Sequence, residues 1–214
     1  MKETKPWFEV WFDTNEYHVL YGHRDEKEAN IFIEALIQNL QLTPCKVLDT
    51  CCGSGRHVFS WANHGFDAHG FDLSQNSISK ANARGKSIKN VSFSNLDLRK
   101  LKDHIESKES YDIVTNLFTS FGYFQNENDH SDVIKGFLYV LKSGGILILD
   151  YINSAFSKKN MIASEIQIRN DIEFHIERKF KNGFFMKSVS YTKSNGRKEI
   201  HTELVKSWES NDLC

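Results

Sequence analysis

The stretch from Lys46 to Asp72, KVLDTCCGSGRHVFSWANHGFDAHGFD, constrains this chain more than any other. Val47 and Leu48 end a short apolar run that stops at Asp49. Gly53 and Gly55 follow in a loop that lets backbone come close to a ligand. His57 to Asn63 carries a helical pattern, with Val58, Trp61 and Ala62 on one side. Gly65 ends that helix, and Ala68 to Phe71 forms a second apolar run closed by Asp72. Strand, glycine loop, helix and strand thus follow in order, with an acid ending each strand.

A doubly wound sheet uses this order to hold a nucleoside, the second acid accepting from ribose hydroxyls. The phosphate-loop pattern of Gly, four residues, then Gly-Lys-Ser/Thr is absent. The dinucleotide fingerprint needs a further glycine where Val58 stands, which weakens a pyrophosphate reading. The remaining string, Asp-x-x-Cys-Gly-x-Gly-Arg-His, resembles motif I of the class I S-adenosylmethionine-dependent methyltransferases. The resemblance implies that Asp49 contacts the amino group of the ligand. It implies that the loop with Cys51, Gly53 and Gly55 passes under the methionyl part. It also implies that Asp72, followed by Leu73, binds the ribose. Cys51 takes the place of the usual first loop glycine.

A length of 214 residues suits one domain with a real core. With 27 basic and 28 acidic residues the formal charge is −1, which makes no broad case for nucleic acid or an anionic membrane. Lys179, Lys181, Lys187, Lys193, Arg197 and Lys198 cluster late and read as solvated hairpin faces. The cysteines are Cys45, Cys51, Cys52 and Cys214. Adjacent cysteines do not easily share a tetrahedral metal and no second Cys/His cluster supports them, so no metal is expected and Cys51 and Cys52 read as small loop residues in a reducing compartment. Met1 to Val10 has no apolar signal core, and the run Ile146 to Leu149 is too short to cross a bilayer. The expectation is a soluble cytoplasmic protein.

The first 24 residues hold Trp7, Phe8, Trp11, Phe12, Tyr17 and Tyr21, dense enough for a packed cap. The WFD…Y-H-x-L-Y…H-R pattern is similar to a bacterial subgroup of small methyltransferases, in which such a segment folds over the bound cofactor. On that resemblance Tyr17, Tyr21 and Arg24 are candidate cofactor contacts. Asp25 starts a helix whose Ala29, Phe32, Ile33, Leu36, Ile37 and Leu40 share one face. Ser74 is an expected N-cap for the helix after Asp72. Val91-Ser92-Phe93 is a third strand, and Asp97 and Leu98 lie past its end. The family places an acid here beside the adenine amine; on spacing alone, Asp97 reads equally well as a turn or N-cap residue.

Tyr111 to Thr115 is a fourth strand, running into NLFTSFGYF at the position of the family's motif IV. The Asn/Asp-Pro-Pro-aromatic signature of methylases acting on base or glutamine amines is missing, which disfavours that subclass. The string resembles the same bacterial subgroup, making Asn116 and Phe118 candidate cofactor contacts, with Phe118, Phe121 and Tyr123 as pocket walls. Asn128 or Ser131 is expected to cap the next helix. Leu141 to Gly145 reads as a helix stop, and Ile146 to Asp150 as an apolar strand buried on both faces. From Ile152 the βαβ rhythm ends. Ser154 to Ser164 reads as a polar loop, and Asn182-Gly183 and Asn195-Gly196 signal tight turns in a three-stranded antiparallel meander over about residues 171 to 208. Ser207 to Leu213 reads as the start of a further helix, so the chain looks shortened beside the family pattern.

The expected fold class is therefore α/β: a Rossmann-like, doubly wound, mostly parallel sheet flanked by helices, with an antiparallel C-terminal meander. One domain spans 1–214, made of a cap (1–24), a cofactor-binding core (25–152) and a substrate-side extension (165–208). The expected activity is methyl transfer from S-adenosylmethionine, giving S-adenosylhomocysteine, to nitrogen or oxygen of a small molecule or peptide. Neither nucleic acid nor membrane is an expected partner, and the protein is a monomer or homodimer. Displacement at a sulfonium needs alignment more than acid–base help, and no nucleophile–base pair stands out. His57, Tyr123 and His175 are the weak base candidates. The alternatives are a cofactor-binding protein without turnover, and an NAD-dependent oxidoreductase.

Overall fold

The computed structural model describes residues 5–104, 108–209 and 212. Two short helices open the chain, α1 (Trp7–Trp11) and α2 (Asn15–Leu20), and Thr14 caps the second by accepting the Tyr17 N–H. Helix α3 (Glu26–Leu40) starts at Asp25, whose side chain accepts the Glu28 N–H. Glu26 and Glu28 suit the positive end of its dipole. A strand–helix alternation follows: β1 (Lys46–Thr50), α4 (Arg56–Asn63), β2 (Asp67–Asp72), α5 (Gln75–Gly85), β3 (Val91–Asn95), α6 (Leu101–His104), β4 (Tyr111–Asn116), α7 (Glu127–Val140) and β5 (Leu141–Leu149). After α8 (Ser154–Lys159) come four consecutive strands, β6 (Ser164–Arg169), β7 (Ile172–Lys181), β8 (Phe184–Thr192) and β9 (Lys198–Lys206).

The chain packs as two compact units. One holds residues 23–121 and 126–150 and is built on a wholly parallel sheet of order β3-β2-β1-β4-β5. The chain runs outward from β1 to β3, then returns to the other side of β1 with β4 and β5. That reversal makes the C-terminal ends of β1 and β4 the topological switch point, where doubly wound sheets take ligands. Ile33, Val47, Val58, Trp61, Phe66, Ala68 and Ile113 form its core, all at most 2 % exposed. Each aliphatic side chain so buried contributes about 2 kcal/mol.

The other unit takes the described parts of 1–22, 122–125 and 151–214. Its antiparallel sheet has the order β6-β7-β8-β9. Trp11 and Leu20 from the opening helices pack on Phe174, Ile176, Val189 and Tyr191. Asn182 and Gly183 both have positive φ, as the two-residue turn between β7 and β8 requires.

The α/β class and the antiparallel extension follow the expectation, and several details differ. The extension has four strands, not three, because Ser164–Arg169 pairs with Ile172–Lys181 through a turn at Asn170-Asp171, both at positive φ. Within the expected polar loop, Ser154–Lys159 is a helix, capped by Asn153 through the Phe156 N–H. Strand β5 is an edge strand with Ile146 exposed, so it is not buried on both faces. It begins at Leu141, and Gly144, at positive φ, sits in a register shift inside it. The cap of α7 is Asn126, not Asn128 or Ser131; its side chain accepts the Asn128 N–H. Of the helix expected over Ser207 to Leu213, residues 207–209 are irregular, while 210, 211 and 213, like Cys214, lie outside the described residues. Among the described residues no helix is long and apolar enough to cross a membrane.

Candidate functional site

Parallel pairing sets Asp49 of β1 beside Thr115 of β4, and Thr50 beside Asn116. Thr115 donates its hydroxyl to Asp49 Oδ1 at 2.6 Å. Thr50 donates to the Thr115 carbonyl at 2.8 Å and accepts from Asn116 Nδ2 at 2.8 Å. Asn116 Oδ1 in turn accepts the Phe121 N–H. Each of these side chains is at most 1 % exposed. The other carboxylate oxygen of Asp49, Oδ2, is buried with no hydrogen-bond partner. Burial pushes the Asp49 pKa up to about 7, against the opposing Thr115 bond and Arg56 charge. An acceptor left this way is costly unless a donor completes it.

The glycine loop is shaped from both ends. Cys51, Gly53 and Gly55 all take positive φ, so Cys51 adopts the conformation a glycine takes freely. The Cys52 N–H reaches the Phe71 carbonyl at 2.9 Å. Asp72, at the end of β2, accepts the Gly53 N–H through Oδ2 and the Ser74 N–H through Oδ1, both at 2.8 Å. Ser74 then caps α5 by accepting the Ser77 N–H. A Cβ on Gly53 would meet nothing within 4 Å, so the loop faces open space there. Burial pushes the Cys51 and Cys52 thiols well up, which keeps them neutral.

The segment leaving β4 forms the opposite wall. Phe118 and Thr119 hold φ of 63° and 68°, strained values for such side chains. Asp150 holds them there: its carboxylate accepts the Phe118 N–H at 3.0 Å and its carbonyl accepts the Thr119 N–H at 3.0 Å. The Phe118 ring lies between two guanidinium groups, Arg24 at 4.4 Å and Arg56 at 4.2 Å from its centroid. His57 stacks on the same ring, and burial, aided by the Arg56 charge, lowers its pKa to about 3. Arg56 is itself tied to Glu28 at 2.6 Å.

The expected site residues divide between the two units. Asp49, Cys51, Gly53, Gly55, His57, Asp72, Leu73, Asp97, Leu98, Asn116 and Phe118 all lie at the C-terminal edge of the parallel sheet, with Arg24 against Phe118. Asp97 has a structural occupation: it caps the turn at Leu98–Lys100 by accepting the Arg99 N–H and pairs with the Arg99 guanidinium at 2.5 Å. Burial raises its pKa, but the Arg99 bonds outweigh this and hold the carboxyl below its usual range.

Tyr17, Tyr21, Tyr123 and His175 belong to the other unit. There Tyr21 donates to Glu203 at 2.7 Å and Trp11 donates to the same carboxylate at 2.8 Å. Tyr17 packs edge-on or tilted against Trp11, Phe12 and Tyr21, and Tyr123 packs on Trp7 and Phe12. Lys187 bonds the Tyr21 hydroxyl, so it is not a solvated hairpin lysine. His175 is exposed on β7 and bonds Glu173. Sequence reasoning missed Thr115, Arg56 and Asp150. Arg56 stood in the loop motif; the other two act through pairings that no local pattern announces.

A family model described as a methyltransferase domain matches residues 43–206. A glycine/sarcosine N-methyltransferase of Aphanothece halophytica is 32% identical over 149 residues, covering 68% of this chain and 52% of that protein. The chain spans about half the length of the curated relatives it matches. Among solved structures, an S-adenosylmethionine-dependent methyltransferase from Clostridium acetobutylicum ATCC 824 aligns with a TM-score of 0.71 at 19% identity, over 92% of this chain and 80% of that one. A sugar N-methyltransferase from Streptoalloteichus sp ATCC 53650 aligns with a TM-score of 0.72 at 15% identity, over 93% and 80%. At such identities these two likenesses speak to fold.

Proposed function

Since the chain belongs to the methyltransferase-domain family, we propose that it transfers a methyl group from S-adenosylmethionine to an amine of a small molecule. The observation that carries this reading is the carboxylate pair at the ends of adjacent parallel strands, Asp49 and Asp72, flanking a loop open at Gly53. The unpartnered Asp49 Oδ2 suits an ammonium donor, which would supply the missing hydrogen bond. Asp72 accepts one backbone N–H on each oxygen, which fixes its carboxylate beside the glycine loop as an acceptor suited to a ribose diol. Gly53 lets ligand come against backbone, and Phe118 supplies an apolar wall. These residues fit the cofactor by chemistry and by placement.

When bound, S-adenosylmethionine supplies an electrophilic methyl on a sulfonium, a leaving group that needs no proton. A neutral amine displaces the thioether and its extra proton passes to solvent afterwards, so the work left to the chain is holding the reactants in line and excluding water. His57 does this as a neutral wall, since with a pKa of about 3 it is too weak a base to take a proton near neutrality. The choice of an amine rests on the relative named for glycine and sarcosine.

Calorimetry with S-adenosylmethionine and S-adenosylhomocysteine tests the cofactor. Mass spectrometry of an amine panel, with amino acids and aminosugars included, tests the acceptor. Absence of binding by both cofactor forms refutes the reading, and methylation confined to hydroxyl acceptors refutes its amine part.

A further inference from the structure

Strand β6 presents an edge that natural sheets usually guard. Among the described residues no strand pairs with its outer side. Its sequence, SEIQIR, has neither proline nor lysine, and its register with β7 runs unbroken from Ser164↔Glu177 to Arg169↔Ile172. An unpaired, unbulged edge of this kind can recruit another strand. Its polarity is also inverted. Ile166 and Ile168 are 60% and 63% exposed, while Glu165 and Gln167 between them are partly buried. Ile200 of β9, also 63% exposed, lies on the same cross-strand row as Ile166, through His175 and Ser190.

The hydrogen-bond phase shows which groups look outward. The Arg178 N–H donates to the Ala163 carbonyl at 2.7 Å. Antiparallel ladders alternate, so Glu165, Gln167 and Arg169 bond toward β7, while Ile166 and Ile168 turn N–H and C=O away from it. The strand is also self-complementary. A two-fold axis at Gln167 sets Gln167 opposite its copy, Ile166 opposite Ile168, and Glu165 opposite Arg169. Both isoleucine pairs are then hydrogen-bonded pairs, the charges at the two ends are opposite, and four isoleucines line up on one face.

We propose that β6 is the docking edge for a second copy of this chain, joining two four-stranded sheets into an eight-stranded antiparallel sheet about Gln167. The contact is isologous and closes at two copies, which a heterologous edge would not do. The apolar strip and the four new backbone bonds drive it, and Arg169, brought opposite the Glu165 carboxylate that Arg178 and Gln167 already hold, sets its register.

Sedimentation velocity of the 214-residue chain across a hundredfold concentration range is the first test, and a dimer that dissociates on dilution is expected. Gln167→Cys should yield an interchain disulfide on mild oxidation, since the central pair faces its copy at a Cα separation of about 4.5 Å. The unsubstituted chain, with its own cysteines, is the control. Ile166→Pro removes an outward N–H and one isoleucine of the strip while sparing every bond to β7, and Arg169→Glu opposes like charges. Both should shift the chain to monomer, and unchanged circular dichroism and melting would show that the fold survives. A chain that stays monomeric at high concentration overturns the proposal. So does a dimer indifferent to Ile166→Pro and not cross-linked through Gln167→Cys.

Discussion

The carboxylate of Asp72 accepts the Gly53 N–H at 2.8 Å, and through its other oxygen the Ser74 N–H at the same distance. One side chain at the end of β2 thus fixes both the glycine loop and the first turn of α5. Under the proposed function, removing it acts on structure and on cofactor binding together. Asp72→Ala should lower unfolding free energy by about 2 kcal/mol, the scale for hydrogen bonds to a charged, partly exposed group. S-adenosylmethionine affinity should fall by more than about tenfold. Denaturant unfolding and calorimetry read the two effects separately.

Asp49 makes the site sensitive to pH. Its folded pKa of about 7 stands above the unfolded value of about 3.9. The folded state therefore holds more protons between these values, and this group's contribution to stability is lost as pH rises from about 4 through 7. Asp49→Asn keeps an acceptor for Thr115 and should flatten that part of the melting profile between about pH 4 and 7. A cationic group beside Oδ2 pulls the proton off. Ligand binding below pH 7 should thus release a proton, seen by calorimetry in buffers of different ionisation enthalpy, and affinity should weaken as pH falls.

The two loop glycines should fail in different ways. At Gly55, φ is 86° and a Cβ would stand 2.6 Å from the Phe93 ring, so Gly55→Ala should destabilise by about 3 kcal/mol through backbone strain and overpacking. At Gly53, φ is 56° with nothing within 4 Å, so Gly53→Ala should cost only about 1 kcal/mol in folding. Its methyl would enter the open space proposed to take the cofactor, and binding should suffer more than stability. Thermal melts beside calorimetry separate the two.

His57 should behave as a wall. Its ring should stay neutral in an NMR titration down to about pH 4, because burial holds its pKa near 3. His57→Gln should retain turnover to within about tenfold, whereas loss of a working general base costs a hundredfold or more. The pH–rate profile above pH 5 should not move.

Much of the parallel unit was legible because each strand ends in punctuation. Asp25 and Ser74 announced their helices, and Asp49, Asp72 and Asp97 marked the strand ends gathered at one edge. The partners that tune those acids were not legible. Thr115 meets Asp49 only through strand register, and Arg99 engages Asp97 only after the chain turns. Strand β6 escaped because its exposed isoleucines invert the usual pattern and its Asn170-Asp171 turn carries no glycine. Asn126 and Asn128 both fit a helix start, and only the bond to the Asn128 N–H distinguishes them.

The clamp of Asp150 on Phe118 joins positions 32 residues apart. Chain growth on the ribosome meets these residues in the opposite order from the one the loop needs. The wall behind β4 is made early, yet its left-handed turn has no anchor until β5 has emerged and paired alongside. Completion of this part of the site therefore waits on an edge strand, and the stretch from Leu117 to Thr119 remains unshaped for as long as Asp150 is still to be synthesised.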